Sequence, residues 1–253
     1  MGIIGYVLGI DIGTTNIKAL LLDCESGSQK GLIQKSYEIE ISQSGYAQYP
    51  PQLWYQHSCV CIKRLLKEYD IRKDEILGLT ISGQMHGLVA LDADDQVIRP
   101  AILWNDGRTG EETEFLNTVI GKDKLSDYTA NIAFAGFTAP KILWMRKHEP
   151  ENFAKIAKIM LPKDYLAYRL SGTFCTDVSD ASGMLLFDVQ HKCWSKEMME
   201  ICGVKESQLA QIFESYEAVG TGTVGDGSCN ISLGTSGTIF ISSEKFGVDE
   251  NNA

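Results

Sequence analysis

Tyr6-Val7-Leu8-Gly9-Ile10-Asp11-Ile12-Gly13-Thr14-Thr15-Asn16-Ile17-Lys18-Ala19-Leu20-Leu21-Leu22-Asp23 decides how the rest of the chain is read. An apolar run ends in an acid at Asp11, a Gly/Thr/Thr/Asn turn follows, and a second apolar run begins at Ile17. Two such runs around a short turn predict a β-hairpin. A tight turn that exposes backbone N–H groups beside two hydroxyls can cradle a phosphate. An acid at the strand end can hold Mg²⁺ through water, because Mg²⁺ dehydrates reluctantly. A plain hairpin turn with an exposed aspartate is the alternative. The stretch is neither a GxxxxGK[ST] phosphate loop nor a GxGxxG dinucleotide loop.

Outward from the hairpin, Tyr37 to Ser42 alternates and predicts a third strand. Gln52 to Tyr69 predicts a helix, with Leu53, Trp54, Val60, Cys61, Leu65 and Tyr69 on one face. Ile76 to Ser82 is almost continuously apolar, the pattern of a strand covered on both faces. Leu88–Leu91 and Val97–Trp104 flank Asp92-Ala93-Asp94-Asp95 and predict a second hairpin. Thr109 and Glu112 have the spacing of a capping box. Further helices are predicted at Ala139–His148, Glu151–Ala157 and Lys163–Leu170, the last framed by Pro162 and Gly172. Strand character returns at Cys229–Leu233. The mixture of hairpins, a buried strand and helices indicates an α/β sheet protein.

Composition narrows the function. The 253 residues carry a formal net charge of -10, with 44% hydrophobic and 22% charged residues. That suits one large domain or two small ones. It argues against a nucleic-acid partner and against anionic membranes. Seven cysteines, Cys24, Cys59, Cys61, Cys175, Cys193, Cys202 and Cys229, form no CxxC pair and read as reduced thiols of a cytoplasmic protein. Met-Gly-Ile-Ile-Gly-Tyr-Val lacks the basic start of a signal peptide, and no apolar run has transmembrane length.

Three more segments carry polar chemistry. Ser232-Leu233-Gly234-Thr235-Ser236-Gly237-Thr238 repeats the strand-then-turn theme of the opening. Two such turns far apart in sequence suggest two lobes that approach one nucleotide. Gly83-Gln84-Met85-His86-Gly87 follows the buried strand, at a strand end where ligands collect in α/β sheets. Gln84 and His86 offer donors and acceptors for hydroxyls, and a histidine satisfied within its own loop is the alternative. Leu103-Trp104-Asn105-Asp106-Gly107-Arg108 offers an apolar ring face and two hydroxyl-binding side chains. Here a simple turn with Asp106 paired to Arg108 is the alternative.

These motifs, together with Arg99–Arg108, Gly136-Phe137-Thr138-Ala139-Pro140-Lys141, Leu161-Pro162-Lys163-Asp164-Tyr165 and Asp177-Val178-Ser179-Asp180-Ala181-Ser182-Gly183, resemble the FGGY carbohydrate kinases. The resemblance covers the whole chain but only the N-terminal half of the family. Gln84-Met85-His86-Gly87 is similar to the motif of the members that phosphorylate D-xylulose. The resemblance implies a ribonuclease H-like lobe of the actin/hexokinase superfamily with helical insertions over 1–217, and a partial second, ATP-binding lobe over 218–253. It implies ATP and Mg²⁺ as cofactors and D-xylulose 5-phosphate as product. Asp11 would organise the metal, through water, and the transferred group. Gly13, Thr14, Thr15, Gly234, Thr235 and Ser236 would lie at the ATP phosphates. Gln84, Met85, His86, Trp104, Asn105 and Asp106 would line the ketose pocket. The role of Asp177, Ser179 and Asp180 stays open.

The chain departs from the family pattern in one place. A strand, a linker and a Gly-Asp-Asn motif with the catalytic base are expected between Glu217 and Ala218, where the sequence continues without them. Asp226 matches a turn downstream of that motif. The expectation is a chain inactive by itself, whose parent is a kinase of D-xylulose. A non-catalytic sugar-binding fragment and a kinase of another ketose such as D-ribulose are the alternatives. A homodimer of the intact enzyme is left open, and a second-lobe strand at Cys229–Leu233 left without its sheet predicts an aggregation-prone edge in the isolated chain.

Overall fold

A computed structural model of the chain describes residues 5–214, with 229–233 and 237–241. The opening hairpin forms as read: β1 (Tyr6–Ile12) pairs antiparallel with β2 (Asn16–Asp23) in the register Asp11↔Lys18 and Ile12↔Ile17. The third strand, β3 (Gln29–Ser36), precedes the segment expected to form it. Its inward residues are Gly31 and Ile33, and Tyr37–Ser42 leaves the sheet. The period-two pattern there was a turn-out rather than a ladder.

A two-residue strand β4 (Gln48–Tyr49) leads into α1 (Pro51–Glu68), which starts on Pro51, a residue suited to a first helical turn that has no use for its N–H. Trp54, Ser58, Cys61 and Leu65 form its buried stripe, whereas Val60 is 45% exposed. Val60 is one position off the stripe, so the expected face was one residue too wide. The helix packs on β2 and β3.

β5 (Ile76–Gly83) runs parallel to β1, giving the sheet order β3-β2-β1-β5. It was expected to be covered on both faces. Among the described residues it is instead an edge strand, with Leu77 52% and Leu79 43% exposed. The parallel register Asp11↔Ser82 and Ile12↔Gly83 brings the carboxyl ends of β1 and β5 to the same rim of the sheet.

Beyond β5 the chain builds a largely helical half. The segments around β6 (Val89–Leu91) and β7 (Ala101–Ile102) meet through the bridges Leu88↔Ile102 and Leu91↔Val97 and through Ile98 N–H donating to the Ala90 carbonyl at 3.0 Å. β7 pairs with β4. Three helices follow: α2 (Gly110–Phe115), α3 (Lys122–Thr129) and α4 (Thr138–His148). The capping box expected before α2 is not made; the Thr109 hydroxyl donates to the Ala135 carbonyl. A short α5 (Pro150–Phe153) replaces the longer helix expected there. Next comes β8 (Lys158–Met160), which pairs antiparallel with β6, so the expected second hairpin gains a long-range partner strand. α6 (Pro162–Ser171) ends on Gly172 at φ 76°. β9 (Cys175–Asp177), α7 (Val178–Ser182), β10 (Phe187–Asp188), β11 (Cys193–Trp194), α8 (Lys196–Cys202) and β12 (Gln211–Phe213) complete the lobe. A hairpin of β13 (Cys229–Leu233) and β14 (Gly237–Ile241) follows.

Two apolar cores result. One lies between the sheet and α1, around Ile12, Ile17, Leu21, Trp54 and Leu65. The other lies beneath α4 and α8, around Ile142, Met145, Leu186 and Met198. The apolar run Leu88–Leu91 serves both: Leu88 and Ala90 enter the second core, Val89 and Leu91 the first. No helix among the described residues is long and apolar enough to cross a membrane.

Candidate active site

The rim shared by β1 and β5 gathers most of the expected residues. The Asp11 carboxylate is 41% exposed and accepts from Lys18 Nζ at 3.2 Å. The turn is closed by Gly13 N–H donating to the Asn16 carbonyl at 2.9 Å. Asn16 Nδ2 donates to Thr15 Oγ1 at 3.0 Å, and Ser36 Oγ donates to Asn16 Oδ1 at 2.8 Å, so the turn is braced from β3.

The turn and the Gln84–His86 corner are adjacent. Gln84 N–H donates to the Ile12 carbonyl at 2.7 Å, continuing the parallel ladder one residue past Gly83. Gln84 is buried, and its Oε1 has no protein partner. Met85 is 40% exposed, an apolar side chain at the mouth.

His86 is held from every side. Its backbone sits at φ 62°, a conformation a non-glycine residue adopts only where its surroundings enforce it. Those surroundings are visible. Its carbonyl accepts from Thr138 Oγ1 at 3.1 Å and from Lys141 Nζ at 2.9 Å, both on α4. Its ring lies 4.7 Å from the ring of Phe137. On the other side is Gly183, where an added Cβ would stand 2.2 Å from His86 Cε1. Gly87 meets the start of α6 as closely, since a Cβ there would lie 2.7 Å from Pro162 Cγ. Burial pushes the imidazole pKa down to about 4; the Lys141 charge works the same way and the Gly183 backbone opposes it. The ring is therefore neutral near pH 7, with Nδ1 buried and the Gly183 backbone against it.

Trp104 closes the same space: its Nε1 donates to Thr14 Oγ1 at 2.9 Å. Asn105 is exposed beside it. Asp106 departs from expectation. Its side chain is fully buried, and both oxygens are occupied. Oδ2 accepts from Ala47 N–H at 2.5 Å and Arg108 Nη2 at 2.7 Å; Oδ1 accepts from Arg108 N–H at 2.9 Å and Nε at 2.8 Å. The Arg108 guanidinium in turn lies 4.0 Å from the centre of the Tyr46 ring. Asp106 thus braces the turn after Trp104 and has no lone pair left for a ligand hydroxyl.

Sequence reasoning missed three residues that hold the site. Lys141 is fully buried, and its ammonium donates to the carbonyls of His86 and Gly136. Burial draws its pKa down to about 7, with Asp106 opposing and Arg108 assisting that drop. Lys163 contacts Asp164 at 2.8 Å, Asp177 at 2.7 Å and Asp180 at 3.2 Å. Burial works against its charge, but the three carboxylates outweigh it and raise its pKa. This knot joins α6 to β9 and α7, and gives the Asp177–Asp180 motif a bracing role on the flank that ends at Gly183. Tyr37, read only as part of a strand, has its hydroxyl between Gly13 and Gln84. Gly234, Thr235, Ser236 and Asp226 lie outside the described residues.

Among the described residues no group of three or more His, Cys, Asp or Glu side chains could ligate a metal. One half-exposed carboxylate, Asp11, fits a Mg²⁺ ion held mainly by phosphate and water.

Residues 6–243 match the FGGY family of carbohydrate kinases, N-terminal domain. The chain is 39% identical over 215 residues to the xylulose kinase of Staphylococcus xylosus, covering 85% of this chain and 44% of that protein. It is 35% identical over 269 positions to the xylulose kinase of Escherichia coli K12, covering 94% and 54%. That alignment is longer than this chain's 253 residues, so the relative carries residues within the matched span that this chain lacks. The crystal structure of a xyloylose kinase from Brucella ovis superposes with a TM-score of 0.87 at 34% identity, over 96% of this chain and 55% of that one. The chain spans about half the length of these relatives.

Proposed function

The chain belongs to the FGGY family of carbohydrate kinases, and from that premise we propose that it forms the ketose-binding half of an enzyme that phosphorylates D-xylulose with ATP. The observation that carries this reading is the parallel register of β1 and β5. It sets the Asp11–Asn16 turn against the Gln84–His86 corner, so an acceptor hydroxyl held at one lies beside a phosphate held at the other. Phosphoryl transfer depends chiefly on such positioning and on charge stabilisation.

Each residue then has a defined task. Neutral His86 and the amide of Gln84 hydrogen-bond the ketose hydroxyls, with Met85 and the Trp104 ring against its carbon skeleton. The Gly13–Thr15 turn receives the ATP phosphates, joined in this reading by Gly234, Thr235 and Ser236 from a second lobe beginning near residue 218. Asp11 would hold a Mg²⁺ ion through water, and the ion would supply charge neutralisation to the transferred group. Lys18 keeps that carboxylate at the rim. The free thiols Cys24, Cys59, Cys61, Cys175, Cys193 and Cys202 support a reducing compartment such as the cytoplasm.

The sequence contains no Gly-Asp-Asn run, the motif that supplies the base in the family it resembles. A general base contributes about 10²–10⁴-fold. We therefore read this chain by itself as a sugar-binding unit whose turnover is negligible. Calorimetry with D-xylulose tests the binding half of the reading, and a coupled ADP-release assay tests the catalytic half. Ketose binding that is lost in His86→Ala, with no ADP release, is the expected pair of results. Turnover near that of an intact family enzyme refutes the second half. Absence of ketose binding refutes the first. D-Ribulose in the same titration decides between the two pentuloses.

A further inference from the structure

The Tyr37 hydroxyl has one proton to give and two lone pairs to fill. It donates to the Gly13 carbonyl and accepts from Trp54 Nε1 at 3.1 Å and from Gln84 Nε2 at 3.4 Å. All three valences are used, and each reaches a different part of the fold: the β1–β2 turn, α1, and the corner after β5. The Tyr37 backbone adds a fourth tie, its N–H donating to the Thr15 carbonyl at 2.9 Å. The ring is 9% exposed and packs 4.4 Å from the ring of Tyr49, so the hydroxyl cannot swing away. Burial is the main cause of its raised pKa, and it stays a donor throughout the ordinary pH range.

We propose that Tyr37 is the positioning residue that couples the phosphate turn to the ketose corner, fixing the spacing of Gly13 and Gln84 and the orientation of the Gln84 amide. The proposal rests on the reading of Gln84–His86 as the ketose corner. With Nε2 directed to Tyr37, the amide keeps its carbonyl end, Oε1, as a buried acceptor without a protein partner. Without the Tyr37 hydroxyl, the Gln84 amide loses the hydrogen bond that fixes which end faces Tyr37. Gly13 at the same time loses the donor that pins its carbonyl on the side away from the turn's Asn16 closure.

Tyr37→Phe removes only the oxygen and is the direct test, on the full chain. Hydrogen–deuterium exchange is expected to speed up in the peptides covering residues 13–16 and 84–87 together, with α4 and α8 unchanged. D-Xylulose affinity by calorimetry is expected to fall about tenfold, and in a Gln84→Ala background Tyr37→Phe is expected to add no further loss. A merely structural tyrosine would give additive losses and uniform deprotection. Unchanged exchange in both peptides, or additive losses in the double variant, overturns the proposal. Should the wild-type chain bind no ketose, the sugar-site reading fails, and the paired exchange response still decides the role of Tyr37. Should Tyr37→Phe fail to fold, Gln84→Ala replaces it: faster exchange at 13–16, on the far side of the hydroxyl, supports the coupling, and unchanged exchange there overturns it.

Discussion

The indole Nε1 of Trp104 donates to Oγ1 of Thr14 across 2.9 Å, joining residues ninety positions apart. The bond ties the wall of the proposed ketose pocket to the proposed phosphate turn. Trp104→Phe keeps an aromatic face and loses this bond. A neutral hydrogen bond of this kind contributes about 1 kcal/mol, so ketose affinity is expected to fall about fivefold by calorimetry. Thr14→Val is expected to match it and Thr14→Ser to restore it. Equal binding by all three variants would remove Trp104 from the pocket.

Gly183 allows a steric test free of backbone strain. Its φ of -79° suits any residue, yet a Cβ would stand 2.2 Å from the His86 ring. Gly183→Ala must therefore move the imidazole. Overpacking costs about 1–3 kcal/mol. The expected outcome is a modest fall in the urea midpoint with at least about tenfold weaker ketose binding. Loss of stability with ketose affinity intact would show that His86 does not contact the sugar.

Much of this was legible in the sequence, and the failures have physical reasons. The opening hairpin announced itself because its turn residues and its apolar runs point the same way. The third strand was misplaced because Tyr37–Ser42 also alternates, and a two-residue period cannot tell a paired strand from an extended segment leaving the sheet. β5 read as a doubly covered strand from its apolar content, but what lies beside a strand is a property of the whole chain. Gln84, Met85, His86 and Trp104 stand out in the sequence because their chemistry is conspicuous. Lys141 and Lys163 were missed because a lysine reads as surface, and their burial depends on carbonyls and carboxylates from distant segments. Tyr37 gave no local signal at all: its partners are Gly13, Trp54 and Gln84.

Asp106 and Arg108 make a pair whose side chains are 0% and 1% exposed. Breaking such a pair by neutralising one partner costs about 3–5 kcal/mol, because the other charge remains buried. Asp106→Asn is therefore expected to lower unfolding free energy by that amount in a urea titration. A small stability change accompanied by a large loss of ketose affinity would restore Asp106 to the pocket.

Two partly buried groups titrate in the same acidic window with opposite signs. His86 has its pKa lowered from 6.5 to about 4, so the unfolded chain binds its proton first. Its contribution is complete above pH 6.5 and is lost as pH falls towards 4. Asp180 has its pKa raised from 3.8 to about 6, chiefly by burial against the pull of Lys163. Here the folded chain binds the proton first, so its contribution is complete below pH 3.8 and is lost as pH rises through 6. Each shift is worth about 2 kcal/mol after allowance for partial solvent contact. Between pH 4 and 6 they largely cancel, and wild-type stability is expected to vary little there on their account. Asp180→Asn removes one side of the balance, so its unfolding free energy is expected to fall more steeply than wild type between pH 6 and 4. His86→Gln removes the other, and its stability is expected to rise over the same interval. Urea titrations at half-unit pH steps measure both slopes, and parallel curves for the three proteins would mean that neither group titrates as its surroundings dictate.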